Sequence, residues 1–222
     1  MMAAVRISDH PAVAHRLAQL RATTTPRAQF RDLMAEISAF LAYEALADLV
    51  TAPLAVVTPV GEGEGQQIVE APLVVPVLRA GLGMVPGVQL VAPTCDVAHL
   101  GLKRDETTLA AVCYLDGLPS DLSGRRVVVC DPMLATGGSI IEAVGLMRGR
   151  NAARVQVLSV VASRPGLERF QAEAPDAEVW CAAVDPSLDE RGYIVPGLGD
   201  AGARLFGPPG EGLAARGWTT AG

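Results

Sequence analysis

The sequence predicts an α/β fold, a mainly parallel central sheet flanked by helices. Short apolar, β-rich runs recur at 72–78, 97–102, 125–130, 154–162 and 178–184, several of them separated by helical patterns. Such runs suit strands buried on both faces, the situation of a parallel sheet covered by helices. Half of the 222 residues are hydrophobic, which is ample material for one substantial core. No repeat or long linker interrupts the pattern.

In chain order, His10 to Val50 reads as a helical arm of two helices. Leu17 and Leu20, then Phe30, Leu33, Ile37, Phe40 and Leu41, recur at helical spacing. TTTPR (23–27) breaks the pair, and Pro26 suits an early position of the second helix. APLAVVTPV follows, then GEGEGQQ at 61–67. That stretch is expected to be a surface turn; its two glutamates and lack of Lys or Thr would repel a phosphate. PLVVPVL is the first expected core strand and runs into a glycine loop, RAGLGMVPG. VAHLGL is the second, ending at Lys103 and Arg104. RRVVVC is the third, and its loop DPMLATGGS leads into the helical pattern IIEAVGLMRGR. RVQVLSVVA and EVWCAAV are the fourth and fifth, with the helix LERFQAEA between them. From Gly207 on, the Gly/Pro-rich residues read as a flexible tail.

The net charge of −6 weighs against a generic polyanion binder, which needs a basic face. Cys95, Cys113, Cys130 and Cys181 have no short pairing, so neither a disulfide framework nor a zinc site is indicated. A reducing compartment fits them. The opening residues lack the pattern of a signal peptide, and no run approaches the roughly 18 apolar residues of a membrane span. A soluble, cytoplasmic protein without nucleic-acid or membrane partners is expected.

Ligands of open parallel sheets bind outside the carboxyl ends of the strands. The sharpest loop there is 131–139, where an apolar strand delivers Asp131 and a helix follows Thr136-Gly137-Gly138-Ser139. Unpaired N–H groups at a helix start suit a phosphate monoester, and Thr136 and Ser139 add hydroxyl donors. Asp131 is an acceptor suited to vicinal sugar hydroxyls. The plainer alternative is a tight βα turn with Ser139 as the helix N-cap. Without a G-K-[ST] it is not a Walker loop. A second glycine string, GYIVPGLGDAG (192–202), spells G-x-G-x-x-G through Gly197, Gly199 and Gly202. No helix is indicated after Gly202 and no second strand follows, so a dinucleotide site is not expected.

The 127–144 string resembles the phosphate loop of type I phosphoribosyltransferases, and its Asp-Pro-Met-Leu-Ala-Thr-Gly-Gly-Ser form resembles the uracil phosphoribosyltransferases among them. VPVLRAGLGM (75–84), LGLKRDETT (100–108) and GYIVPGLGDAG are similar to that family's pyrophosphate-side, flexible-loop and uracil-binding segments. The resemblance implies one domain over 1–207, with a helical arm at about 10–50, a C-terminal base-binding hood at about 185–207 and a tail at 208–222. It implies transfer of the phosphoribosyl group of 5-phosphoribosyl-1-pyrophosphate (PRPP) to uracil, giving UMP and diphosphate. The implied catalytic residues are Arg104, Asp131 and Asp200. PRPP would meet Arg79, Arg104, Asp131, Pro132, Met133, Leu134, Ala135, Thr136, Gly137, Gly138, Ser139 and Asp200. Uracil would meet Ile194, Gly199, Asp200 and Ala201, largely through main chain. Mg²⁺ would arrive with PRPP rather than in a protein cage. A homodimer or higher oligomer, and GTP as allosteric activator, are implied by the resemblance alone. No histidine stands in these loops, so no dedicated histidine base is expected.

Pro86, Gly117 and Ala203 depart from the family's usual residues. A nucleotide- and RNA-binding regulator of the same fold, an enzyme for another base and a silent homologue are the rivals; the acidic charge disfavours the first and GYIVPGLGDAG the second.

Overall fold

The computed structural model describes residues 4–104 and 111–208. The chain opens with β1 (Val5–Ile7), α1 (Pro11–Arg21) and α2 (Arg27–Ala45). His10 caps α1 by accepting the Ala12 N–H at its Nδ1, and Pro11 takes the first turn. Pro26 sits at the N-cap of α2, one place before the helix. Phe30, Leu33, Met34, Ile37 and Leu41 form its buried stripe.

A hairpin, β2 (Thr51–Val57) and β3 (Glu62–Ile68), comes next. GEGEGQQ was expected as a turn; instead most of it forms β3, and the turn lies at 58–61. The hairpin is mostly exposed on both faces, so the usual signal of one apolar face is missing from its sequence. β4 (Leu73–Leu78) ends in a 3₁₀ turn, Ala80–Gly83, and α3 (Val85–Val91), where only a glycine loop was expected. Pro86 stands in the first turn of α3, which a helix tolerates.

The second expected strand is split into β5 (Asp96–Val97) and β6 (Leu100–Arg104). β7 (Ala111–Asp116), β8 (Arg126–Cys130), β9 (Met133–Leu134) and α4 (Gly138–Arg148) follow. β10 (Arg154–Ser163), α5 (Arg164–Glu173) and β11 (Glu178–Asp185) complete the alternation, and Ser163 caps α5 through the Gly166 N–H. The described chain closes with β12 (Ser187–Leu188), β13 (Ile194–Val195) and α6 (Ala201–Phe206). The helix after Gly202 that the sequence did not indicate therefore exists in part: α6 starts at Ala201, capped by Asp200.

The main sheet runs β1-β11-β10-β8-β4-β6-β7, with β5 beside β4 and β9 beside β10. Its pairings are parallel except β6 with β7. Val74, Val128 and Leu158 pack with α1, α2, α3 and α6 on one side. Leu73, Val75, Val127, Val129 and Val157 pack with α4 and α5 on the other. Burial on both faces explains the unbroken apolar runs. It also leaves the carboxyl ends of β4, β8 and β10 as the edge where polar loops emerge. Among the described residues no helix is long and apolar enough to cross a membrane.

Candidate active site

The parallel strands β4 and β8 bring two loops to one edge, and the segment after β13 meets them there. β8 ends at Cys130, and Asp131 turns out of the sheet with its N–H donating to the Leu158 carbonyl (3.2 Å). Its Oδ1 accepts the Met133 N–H at 3.2 Å, which bends the loop back on itself. Loss of hydration at the strand end pushes the Asp131 carboxyl up to about 7, against the opposing Met133 hydrogen bond. The residue keeps a partly open face on the cleft.

The rest of the loop is fixed from behind by β10. The Pro132 carbonyl accepts from Val160 and Val161 (3.1 and 3.0 Å), Ser159 Oγ accepts the Leu134 N–H (3.0 Å), and Ser163 Oγ donates to the Ala135 carbonyl (2.5 Å). Gly137, at φ 80°, is the N-cap of α4, and no side chain caps the helix. Ser139 is already inside the helix, so the simple N-cap alternative does not describe this turn. A hollow of about 70 Å³ lined by Asp131, Ala135, Thr136, Gly137, Gly138 and Ser139 faces the helix start, with the size and the donors for a phosphate.

A second hollow, about 230 Å³, adjoins it and is lined in part by Arg79, Leu102, Asp131, Met133, Ser139 and Asp200. Arg79 follows β4 through a cis Leu78–Arg79 peptide and is exposed. Gly81 lies so close to β8 that a Cβ there would stand 2.2 Å from the Cys130 carbonyl oxygen. This contact seats the Arg79 turn beside Asp131. From the third side Asp200 caps α6 by accepting the Ala203 N–H at 2.9 Å, and a Cβ on Gly202 would lie 3.3 Å from Asp200 Oδ1 and 3.8 Å from Arg79 Nη2. The departure at position 203 thus supplies a backbone donor that any residue but proline could give. One cleft therefore joins a cation, two carboxylates and a helix start, a set that can hold a sugar phosphate and stabilise an anionic leaving group.

The family model for uracil phosphoribosyltransferase matches residues 7–208. A uracil phosphoribosyltransferase of Kocuria rhizophila is 48% identical over 206 residues, covering 91% of this chain and 98% of the relative. The chain belongs to the uracil phosphoribosyltransferase family. A solved protein of Aquifex aeolicus superposes with a TM-score of 0.84 at 35% identity, over 91% of this chain and 98% of that one. A hypoxanthine phosphoribosyltransferase of Staphylococcus aureus, 12% identical with a TM-score of 0.50 over 75% of this chain and 84% of its own, shares the type I phosphoribosyltransferase fold.

Of the residues assigned from the resemblance to uracil phosphoribosyltransferases, Arg79, Asp131, Met133, Ser139 and Asp200 line one hollow. Leu134 to Gly138 line the adjoining one. Pro132 is buried and lines neither; its carbonyl serves β10. Ile194 and Ala201 are buried and Gly199 is exposed at φ 75°; none of the three lines either hollow. Arg104 closes β6, but its side chain lies outside the described residues, as do 105–110 and the tail from 209. His10, His15 and His99 are away from the cleft: His10 caps α1, His15 meets Gln19, and the His99 carbonyl accepts the Gly117 N–H. Ser159 and Ser163, which hold the 131–139 loop, sit within an apolar run and gave no signal of that role in sequence.

Proposed function

We propose that this protein joins uracil to the phosphoribosyl group of PRPP, forming UMP and diphosphate in pyrimidine salvage. The observation that carries the proposal is the cleft shared by Arg79, Asp131, Ser139 and Asp200, in a chain of the uracil phosphoribosyltransferase family. In the reaction uracil N1 forms a bond to ribose C1, the C1–O bond to diphosphate breaks with its electron pair leaving on diphosphate, and the N1 proton passes to solvent. Arg79 and Arg104 hold diphosphate oxygens, since a guanidinium stays charged and grips two oxygens at once. Asp131 accepts from the ribose hydroxyls, and 132–139 hold the 5-phosphate.

Ile194, Gly199 and Ala201 meet the pyrimidine edge through main chain, with Asp200 between uracil and PRPP. A backbone reader of this kind rejects cytosine, whose amino group faces a donor and leaves both unpaired. Positioning and charge carry the rate, without a dedicated histidine base.

Mg²⁺ fits this site as a companion of PRPP: the Asp131 and Asp200 carboxylates offer hard oxygen donors beside the substrate phosphates. When bound, the ion neutralises the charge growing on diphosphate. A single domain over 1–207, a homodimeric or higher assembly, activation by GTP and a cytoplasmic location belong to the same proposal and rest on the resemblance of the sequence alone. The acidic balance of the chain speaks against a nucleic-acid partner. The test is to incubate the protein with PRPP, Mg²⁺ and uracil and to follow UMP and diphosphate by chromatography. Their formation in equal amounts is expected; none from a folded protein that binds PRPP overturns the proposal.

A further inference from the structure

The base-reading segment is held by residues far from it in sequence. Asp185, at the end of β11, is buried and carries three hydrogen bonds. Its Oδ2 accepts the Gly197 N–H (2.9 Å) and Arg21 Nη1 (2.7 Å), and its Oδ1 accepts Arg21 Nη2 (2.8 Å). Arg21, the last residue of α1, also donates from Nη1 to the Gly197 carbonyl at 2.9 Å. Both polar groups of Gly197 are thus engaged by one ion pair. The next carbonyl, that of Leu198, accepts Arg204 Nη1 (2.9 Å), while Arg204 Nη2 donates to the Ala22 carbonyl (2.6 Å). The Arg204 guanidinium also lies 4.2 Å from the centroid of the buried Phe30 ring.

These contacts fix Gly197 and Leu198 but leave Gly199, Asp200 and Ala201, which follow at once. Gly197 is also the hinge to Ile194: at φ 57°, a Cβ there would stand 2.1 Å from the Ile194 carbonyl oxygen. A shift of Gly197 therefore moves the peptide groups on both sides that are proposed to meet uracil. A buried ion pair contributes little net stability compared with apolar packing of the same shape. Its distinct contribution here is geometric, since it holds the two peptide groups on either side of the Gly197 Cα in a charge-assisted grip. We infer that Arg21 and Asp185 are positioning residues for uracil recognition, acting through the two peptide groups that flank Gly197 without touching substrate. This rests on the function proposed above. It gives the N-terminal helical arm a part in base selection.

Arg21→Ala, Arg21→Lys and Asp185→Asn test it through KM for uracil, KM for PRPP, kcat, PRPP binding and thermal unfolding. Arg21→Ala is expected to raise KM for uracil on the order of 100-fold, as a displacement of about 1 Å can, with PRPP binding unchanged. Preference for uracil over cytosine is expected to fall with it. Arg21→Lys should be intermediate, because an ammonium can meet Asp185 or the Gly197 carbonyl but lacks the two-pronged grip. A folded Arg21→Ala with unchanged uracil KM, or with uracil and PRPP terms weakened equally, overturns the inference. If Arg21→Ala does not fold, Arg21→Lys and Asp185→Asn decide it by the same readouts. If wild-type protein makes no UMP, the proposed function falls and the clamp with it. If wild type makes UMP and the variants match it, the clamp alone falls.

Discussion

Replacing Asp131 by Asn should remove a pH dependence that the wild-type cleft carries. The Asp131 carboxyl is held up to about 7, against 3.8 for a free aspartate, because it is dehydrated at the end of β8. If the ionised form accepts the ribose hydroxyls, PRPP affinity at pH 6 falls about tenfold below its plateau, and at pH 5 about a hundredfold. Titration of the PRPP phosphates overlaps this range but acts alike on wild type and Asp131→Asn. The ratio of the two affinities therefore isolates the carboxyl. Calorimetric titration with PRPP at constant Mg²⁺ between pH 5.5 and 8.5 reads it (a range of about 1.5 units either side of the titration). The same shift bears on stability with a definite sign. The folded state binds the proton more tightly, so the contribution of Asp131 is full below about 4 and fades as pH rises through about 7. Ligand-free Asp131→Asn should accordingly unfold at a higher temperature than wild type at pH 8, and the gain should shrink in acid. The partly open face of Asp131 keeps that gain below what the whole shift would give. Parallel affinity profiles for the two proteins would show that Asp131 does not titrate in the site.

Two other substitutions separate function from folding. Asp200→Asn keeps a side chain that can cap α6, so stability should change by only a few tenths of a kcal/mol while UMP formation drops sharply; an unchanged kcat with uracil would remove Asp200 from the chemistry. Gly137→Ala forces a side chain into φ 80° with its Cβ 3.0 Å from the Gly166 carbonyl oxygen, so a loss of about 1–2 kcal/mol in denaturant unfolding is expected, together with weaker PRPP binding. Unchanged PRPP affinity in that variant would mean that the turn before α4 does not hold the phosphate.

The buried centre of the fold was legible because its strands have no solvent face. VVVC and QVLSVVA read as strands directly, and the acid at the end of one and the glycines at the start of α4 marked the 131–139 loop. The hairpin β2–β3 was missed because it has no buried face to impose an apolar pattern, and GEGEG resembles a turn in composition. α6 was missed because six residues are too few for a helical period; the signal present was Asp200 ahead of Ala201, a capping acid at a helix start. The family's motifs named Arg79, Asp131 and Asp200, but their meeting in one cleft depends on the seating of Gly81 against Cys130, which no local pattern records. Arg21 and Asp185 are 164 positions apart and each alone looks like an ordinary surface charge; only the packing of α1 against β11 pairs them.

The most direct measurement compares kcat/KM for uracil with that for cytosine in the wild-type protein, at saturating PRPP and Mg²⁺. A site whose peptide groups pair with both carbonyls and the ring N–H of uracil should prefer it by about 10,000-fold or more. A preference within about tenfold, the scale of a pocket that senses only size, would contradict main-chain recognition of the base by residues 194–201.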